Sequence, residues 1–236
     1  MRFYFPNISK SCLELSGDAH THAAYALRIR VGDYITVFDG KGRDFACKVK
    51  EIKKDKTILE LLNTAENTGE SKINVTLYLS VIKQDRFEMA VQKATELGVA
   101  KIVPVYSMFT QRNVTLNYDR LNKIAVSACE QCGRSIIPII EQPIDFNELI
   151  SRTKDTYMIF PWEREMHGSL RNAFDKSKKD ISVFVGPEGG ITEEEKVKLT
   201  DAGAKSVTLG KRILRAETAA IATLSVVFYE MGEWIL

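Results

Sequence analysis

Two runs in the C-terminal third carry residues able to do chemistry. In Ile181-Ser-Val-Phe-Val-Gly-Pro-Glu-Gly-Gly-Ile-Thr-Glu-Glu-Glu195 an apolar strand pattern breaks into a glycine-proline turn and then a helix start. Gly186, Gly189 and Gly190 let another molecule approach the backbone closely, and Pro187 stiffens the turn. Thr192 followed three residues later by Glu195 is a capping-box pattern, which sets the helix N-terminus. Helix starts after glycine loops bind anions. Here there is no Gly-Lys-Ser/Thr ending, and Glu188, Glu193, Glu194 and Glu195 repel phosphate. The loop suits a neutral or cationic ligand held by main-chain groups; a plain structural turn is the other reading.

The second run, Val207-Thr-Leu-Gly-Lys-Arg-Ile-Leu-Arg-Ala-Glu-Thr-Ala-Ala220, mixes Lys211, Arg212 and Arg215 with Ile213 and Leu214. Apolar side chains that sandwich a flat base, with arginines meeting phosphate or an anionic transition state, would use this mixture. So would a loop whose two aliphatic residues anchor it to the core. A third run, Phe160-Pro-Trp-Glu-Arg164, follows another strand pattern and says little by itself. Cys129-Glu-Gln-Cys132 has redox or zinc spacing, and His20-Thr-His22 has metal-ligand spacing. The cysteine pair falls in a helical segment, and Cys12 and Cys47 are too scattered to complete a set, so no metal is expected. No Ser/His/Asp or Cys/His nucleophile arrangement is present.

The elements that must position these runs alternate. Val75–Ile82, Lys101–Val105, Ile136–Ile140, Thr156–Phe160, Ile181–Val185 and Ser206–Leu209 read as strands. Arg86–Leu97, Tyr118–Gln131, Phe146–Arg152, Gly168–Asp175, Thr192–Ala202 and Ala216–Met231 read as helices. That alternation predicts a mostly parallel sheet with helices on both faces, whose ligands sit beyond the carboxyl ends of the strands. All three runs are loops at such ends. The last helix is apolar almost all round, which predicts burial on both sides. Before residue 63 the pattern is different: Arg2–Phe5, Asp33–Phe38, Asp44–Ile52 and Thr57–Leu62 read as strands, with a hairpin turn at Asp39-Gly40-Lys41-Gly42. An Ala-rich stretch between Asp18 and Arg30 reads as a short helix. A small closed β-barrel accounts for these strands. Asn63–Lys72 is polar and aperiodic and reads as a linker, so the expected domains are 1–70 and 73–236.

The 236 residues carry 33 Lys+Arg against 31 Asp+Glu, with 44% hydrophobic and 27% charged side chains, which excludes disordered, collagenous and disulfide-scaffold classes. The net charge of +2 does not announce a nucleic-acid binder, although residues 1–72 hold 12 basic and 10 acidic side chains. No apolar run reaches the ~20 residues of a membrane-spanning helix, and Met1–Pro6 lacks a signal-peptide pattern, so a cytoplasmic location with reduced thiols and no membrane partner is expected.

Val185-Gly-Pro-Glu-Gly-Gly-Ile191 followed by Leu209-Gly-Lys-Arg-Ile-Leu-Arg-Ala-Glu-Thr-Ala219 closely resembles the two C-terminal signatures of the bacterial 16S rRNA uridine-N3 methyltransferases, a family of the SPOUT superfamily. Lys83–Val99 and Ala128–Arg134 agree with it. So do His22-Ala-Ala-Tyr-Ala-Leu-Arg28 and Val37-Phe-Asp-Gly-Lys-Gly42 in the N-terminal region. The sequence departs from the family pattern at Gln84, Cys132, Ala216 and Thr110-Gln-Arg-Asn113, and the last of these bears on substrate contacts.

The resemblance implies an α/β fold: a C-terminal trefoil-knotted methyltransferase domain behind an N-terminal PUA-like barrel. It implies S-adenosylmethionine as methyl donor, held by Phe160, Pro161, Gly186, Pro187, Glu188, Gly189, Leu209, Gly210, Ile213, Leu214, Thr218 and Ala219. A cationic sulfonium makes sense of the acidic loop. The implied substrate is 16S rRNA or the small ribosomal subunit, and the implied assembly is a homodimer. Arg215 is the candidate for contacting the uracil oxygens or a neighbouring phosphate, and Glu188 or Glu217 for taking the N3 proton, with capping of helix-start amides the competing role for both carboxylates. Arg28, Arg30, Arg86, Arg112, Arg134, Lys211 and Arg212 form the candidate RNA-backbone set, each also readable as a solvated surface cation. Tyr4, Tyr25 and Phe38 are candidates for stacking bases, with core packing the competing role for Phe38. Rival readings are a SPOUT enzyme acting on tRNA or another rRNA base, and a non-catalytic RNA-binding protein of the same fold.

Overall fold

A computed structural model describes residues 1–6, 8, 13–66 and 69–234. The chain divides into two compact units, Met1–Glu70 with Val126–Ile137, and Ser71–Ala125 with Pro138–Leu236.

The first unit is built on β1 (Arg2–Tyr4), β2 (Leu13–Ser16), β3 (Tyr34–Phe38), β4 (Arg43–Ile52) and β5 (Lys56–Glu66), paired in the order β1-β3-β4-β5-β2. Alternate residues enter one core, where Phe3, Leu15, Val37 and Leu59 are completely buried. β1 and β2 end the sheet, and no ladder joins them among the described residues. The β3–β4 turn is held by Asp39, whose carboxylate accepts the backbone N–H of Lys41 (2.7 Å) and of Arg43 (3.2 Å) and the Arg43 Nε (2.9 Å). The expected helix from Asp18 to Arg30 is shorter. α1 (Gly17–Thr21) and a π-helical turn at His22–Ala26 end before Arg28, which takes a left-handed φ of 52°. The expected linker also begins later, because Asn63–Glu66 continue β5 opposite Arg43–Ala46. Ladder pairing with the long β4 supplies the backbone partners that polar side chains do not advertise.

Residues Val126–Ile137 belong to this unit through charge-assisted bonds. Arg2 forks onto Asp44 with two contacts of 2.9 Å, and Ser135 donates to the same carboxylate. Glu70 accepts from the Arg134 Nε at 3.0 Å, from Ser135 N at 2.6 Å and from Ile136 N at 2.8 Å.

The second unit is the expected α/β fold. Its strands are β6 (Asn74–Ser80), β7 (Lys101–Tyr106), β8 (Ile139–Ile140), β9 (Ile144–Asp145), β10 (Tyr157–Pro161), β11 (Asp180–Val185) and β12 (Lys205–Val207). They pair in parallel in the order β12-β10-β11-β6-β7-β8, with β9 also on β7. The helices are α2 (Gln84–Leu97), α3 (Tyr118–Cys132), whose residues from Val126 onward belong to the first unit, α4 (Phe146–Thr153), α5 (Glu193–Asp201) and α6 (Ala216–Glu230). Leu149 of α4 and Leu199 of α5 share a core with Tyr78, Val103, Met158 and Phe184 of the sheet. α2 and α6 pack on each other, and α6 on β11. Two expectations shrink. Ile136–Ile140 is a strand only at its last two residues, and Gly168–Asp175 is a single 3-10 turn, Leu170–Ala173. A Cβ at Gly168 would lie 2.2 Å from the Ser206 carbonyl oxygen, so the chain there runs hard against its neighbour instead of starting a helix. α6 buries Ala216, Ala220, Leu224 and Val227, while Ile221, Ala222, Ser225 and Val226 are only half-buried within one chain.

Candidate functional site

The carboxyl ends of β10, β11 and β12 lie side by side, so the three loops that leave them converge. Between them opens a cavity of about 440 Å³, within the usual size of small-molecule sites. The turn after β11 contributes Gly186 to Ile191, the turn after β12 contributes Leu209, Gly210 and Arg212 to Arg215, and the end of β10 contributes Pro161 to Glu163. Ala216 and Ala219 of α6 and Arg86 of α2 complete the wall.

Local chemistry fixes each loop. Gly190 N–H closes a turn on Pro187 O at 2.9 Å, and a Cβ at Gly186 would sit 2.6 Å from the Ile191 side chain, so any larger residue there would have to displace the buried Ile191. The Trp162 indole N–H donates to Ile191 O at 3.2 Å, and Trp162 N–H to Val207 O at 3.0 Å, which ties the third run to both others. Gly210, at φ 93°, donates to the Thr208 hydroxyl at 3.1 Å. The capping box is present: Thr192 Oγ1 accepts Glu195 N–H and Glu195 Oε2 accepts Thr192 N–H, both at 3.1 Å. The other Glu195 oxygen accepts Met108 N–H at 2.8 Å, so this carboxylate is spent internally and does not face a ligand.

The charges on the wall are Glu163 and Glu188 against Arg86, Arg212 and Arg215. Arg86 bonds Glu188 at 2.8 Å and stands 4.0 Å from Glu217. Glu217 is buried, and its Oε2 has no hydrogen-bond partner.

Of the residues that the sequence proposed for a ligand pocket, Pro161, Gly186, Pro187, Glu188, Gly189, Leu209, Gly210, Ile213, Leu214 and Ala219 line this one cavity, and Arg215 does too. Phe160 does not. It is fully buried in the core shared with α4 and α5, two residues short of Trp162, which belongs to the same core but reaches the cavity from beyond the end of β10. Thr218 faces solvent on α6, and Glu217 lies behind Arg86, off the wall.

The RNA-backbone set divides. Arg86 and Arg212 are on the cavity wall, and Lys211 is exposed beside it. Arg112 is exposed with its guanidinium 5.0 Å from the centre of the Tyr106 ring. Arg28 and Arg30 are exposed on the first unit. Arg134 is corrected: it is 6% exposed and paired with Glu70, so it is not free for phosphate. Phe38 is buried under the Arg2 guanidinium and packs, and Tyr25 is exposed. Trp162, Glu163, Val185, Gly190, Ile191 and Ala216 also line the cavity. Trp162 and Glu163 stand in the run that looked weak, where the signal was its place after a strand.

One member of each metal-like motif is buried, His20 and Cys129, while His22 and Cys132 are exposed. His20 is buried and shares a hydrogen bond with the Thr57 hydroxyl at 2.9 Å. Burial pushes the thiols of Cys47 and Cys129 up to about 11 and about 12. Cys12 lies outside the described residues. No group of three His, Cys, Asp or Glu that could hold a metal occurs among the described residues, and no helix there is long and apolar enough to cross a membrane.

Residues 69–228 match the model of the RNA methyltransferase domain, and residues 15–62 that of the RNA methyltransferase PUA domain. Ribosomal RNA small subunit methyltransferase E of Rickettsia conorii is 34% identical over 218 residues, covering 91% of this chain and 88% of that protein. The crystal structure of a ribosomal RNA small subunit methyltransferase E from Neisseria gonorrhoeae bound to S-adenosyl methionine superposes with a TM-score of 0.87 at 34% identity, over 97% of this chain and 96% of the other. A Legionella pneumophila structure in complex with SAM gives 0.86 at 31% identity, over 97% and 96%.

Proposed function

This chain belongs to the RNA methyltransferase family, and from that premise we propose that it moves the methyl group of S-adenosylmethionine onto N3 of a uridine in 16S rRNA of the small ribosomal subunit. The observation that carries the proposal is the convergence of the Gly186–Ile191 and Leu209–Arg215 turns on one cavity. The solved relative from Neisseria gonorrhoeae holds S-adenosyl methionine. The residues present fit that group. Gly186, Gly189 and Gly210 bring main chain to the cavity wall with no side chain in between, Leu209, Ile213 and Leu214 offer apolar contact to a flat ring, and Glu163 and Glu188 favour a cation.

Bound there, the donor supplies a methyl carbon made electrophilic by a sulfonium. The chain's part is placement and charge. N3 of uridine must lose its proton before its lone pair can accept the methyl. Glu188, on the cavity wall with one oxygen held by Arg86 at 2.8 Å, is the proposed acceptor of that proton. Glu217 acts through Arg86, as a positioning residue. Arg215, at the N-terminus of α6, meets the negative charge that develops on the uracil oxygens. Lys211, Arg212, Arg112, Arg28 and Arg30 are the remaining candidates for the RNA backbone.

The half-buried apolar stripe of α6, Ile221, Ala222 and Val226, suits a second copy of the chain, so the proposed enzyme is a homodimer working in the cytoplasm on ribosomal subunits. The trefoil threading implied by the family belongs to the same proposal. Mass mapping tests it. The chain is incubated with donor and unmethylated small subunits, and the 16S rRNA is digested and sequenced by mass. One uridine should gain the mass of a methyl group less a hydrogen, at a position that blocks base pairing. Methylation on carbon or ribose, or of tRNA alone, would overturn the assignment. Arg215→Ala should lower turnover far more than donor affinity; a loss confined to donor binding would move Arg215 into the donor pocket.

A further inference from the structure

The turn after β7 presents large apolar side chains to solvent from an unusually well-pinned base. Met108 and Phe109 are 68% and 52% exposed, whereas the neighbours Ser107 and Thr110 are 2% and 6% exposed. Ser107 N–H donates to Thr110 Oγ1 at 3.0 Å, and Thr110 N–H to Ser107 O at 3.2 Å. The two hydroxyls bond each other at 3.0 Å, and Ser107 Oγ bonds that of Ser80, in β6, at 3.1 Å. From α5, the buried Glu195 carboxylate accepts Met108 N–H at 2.8 Å. A scaffold of buried polar groups is costly unless every member is satisfied, and when satisfied it rigidifies what it holds. What this one holds is the pair of side chains that folding would rather hide.

The pair also stands beside the site. A Cβ built on Gly189 would lie 2.7 Å from Phe109 Cβ and 3.3 Å from its Cγ, so the phenyl group rests directly on a residue of the cavity wall. Arg112, three residues on, keeps a cation nearby against Tyr106. A rigid aromatic face, a cation and an adjoining pocket are what an unstacked RNA base needs. A base whose N3 reacts must leave its own stack and lose that partner.

We propose that Phe109 is a stacking residue for the target nucleobase, or for its immediate neighbour, as the base enters the cavity. The inference rests on the methyltransferase reading and adds a substrate-positioning contact to it.

The test compares the full chain with its Phe109→Leu and Phe109→Trp variants on unmethylated small subunits. Binding of S-adenosylhomocysteine is measured by calorimetry alongside. Leucine keeps bulk against Gly189 but has no π face. It should lower kcat/KM for RNA by about 5- to 150-fold, the ~1–3 kcal/mol of a base–aromatic stack at about 1.4 kcal/mol per decade. Donor affinity should not change, and tryptophan should restore the rate. Equal activity of the three proteins overturns the proposal. So does a leucine variant that loses donor binding in step with turnover, or one whose sedimentation shows that Phe109 is a contact between copies of the chain. A wild-type chain that methylates nothing overturns the underlying reading as well, which separates the two failures.

Discussion

Replacing Arg86 by methionine isolates the charge that holds the cavity wall together. Its guanidinium stands 4.0 Å from Glu217 Oε1, and the Glu217 side chain is only 8% exposed. At that distance the attraction is about 4 kcal/mol for an effective dielectric of about 20, opposed by the desolvation of both groups. Removing the cation leaves a buried carboxylate that already has one oxygen without a partner. Breaking a buried pair costs about 3–5 kcal/mol. Arg86 is 25% exposed and shares its charge with Glu188, which brings the expected loss down to about 2 kcal/mol. For a chain of this size that lowers Tm by about 4–8 °C. Differential scanning calorimetry of the ligand-free protein reads it. Glu217→Gln alone should be nearly neutral, because it gives up attraction and desolvation cost together. The double variant should therefore recover more than about 1 kcal/mol of the Arg86→Met loss. Additive Tm changes, within about 0.5 kcal/mol, would refute the claim that Arg86 exists partly to neutralise Glu217.

Two other perturbations probe the thiols and the β3–β4 turn. An alkylating reagent at pH 8 should label Cys132, which is exposed, and spare Cys47 and Cys129, whose thiols are raised to about 11 and about 12 by burial. Peptide mass spectrometry of the folded chain checks this, and equal labelling of Cys129 and Cys132 would contradict it. At Asp39, burial raises the carboxyl, but the N–H groups of Lys41 and Arg43 and the Arg43 guanidinium outweigh it, so the group titrates below its usual range. A lowered folded value means that its stabilisation is fully present above about pH 4 and is lost as pH falls through the folded value. Hydrogen exchange at Lys41 and Arg43 should therefore quicken, after correction for intrinsic rates, on acidification below that point. Asp39→Asn should abolish the pH dependence, and its persistence in that variant would place the titrating group elsewhere.

The parts of this molecule that were legible in sequence are those with local causes. Gly186, Pro187, Gly190 and the Thr192–Glu195 box carry their own turn and cap chemistry, so both the loop and the start of α5 could be read directly. Strands such as Asp180–Val185 announced themselves as apolar runs. What was hidden depends on distant partners. Leu13–Ser16 becomes a strand only because it pairs with Lys56–Leu59, and Asn63–Glu66 because β4 runs past it. Arg134 looked like a surface cation, but its partner Glu70 is 64 residues away. Phe160 and Thr218 flank cavity residues in sequence, yet Phe160 lies within β10 in the core beneath the loops, and the helix period turns Thr218 to solvent. Phe109 carried no sequence signal, since its significance lies in a hydroxyl network and in Gly189, eighty residues on.

The central claim, that the turns at Gly186–Ile191 and Leu209–Arg215 jointly enclose the methyl donor, is tested most directly by a crystal structure of this chain grown with S-adenosylhomocysteine. Ligand density should lie between those two turns, with the adenine against Leu209, Ile213 and Leu214 and main-chain contacts at Gly186, Gly189 or Gly210. Density bound elsewhere on the chain, or a cavity still empty at saturating ligand, would contradict it.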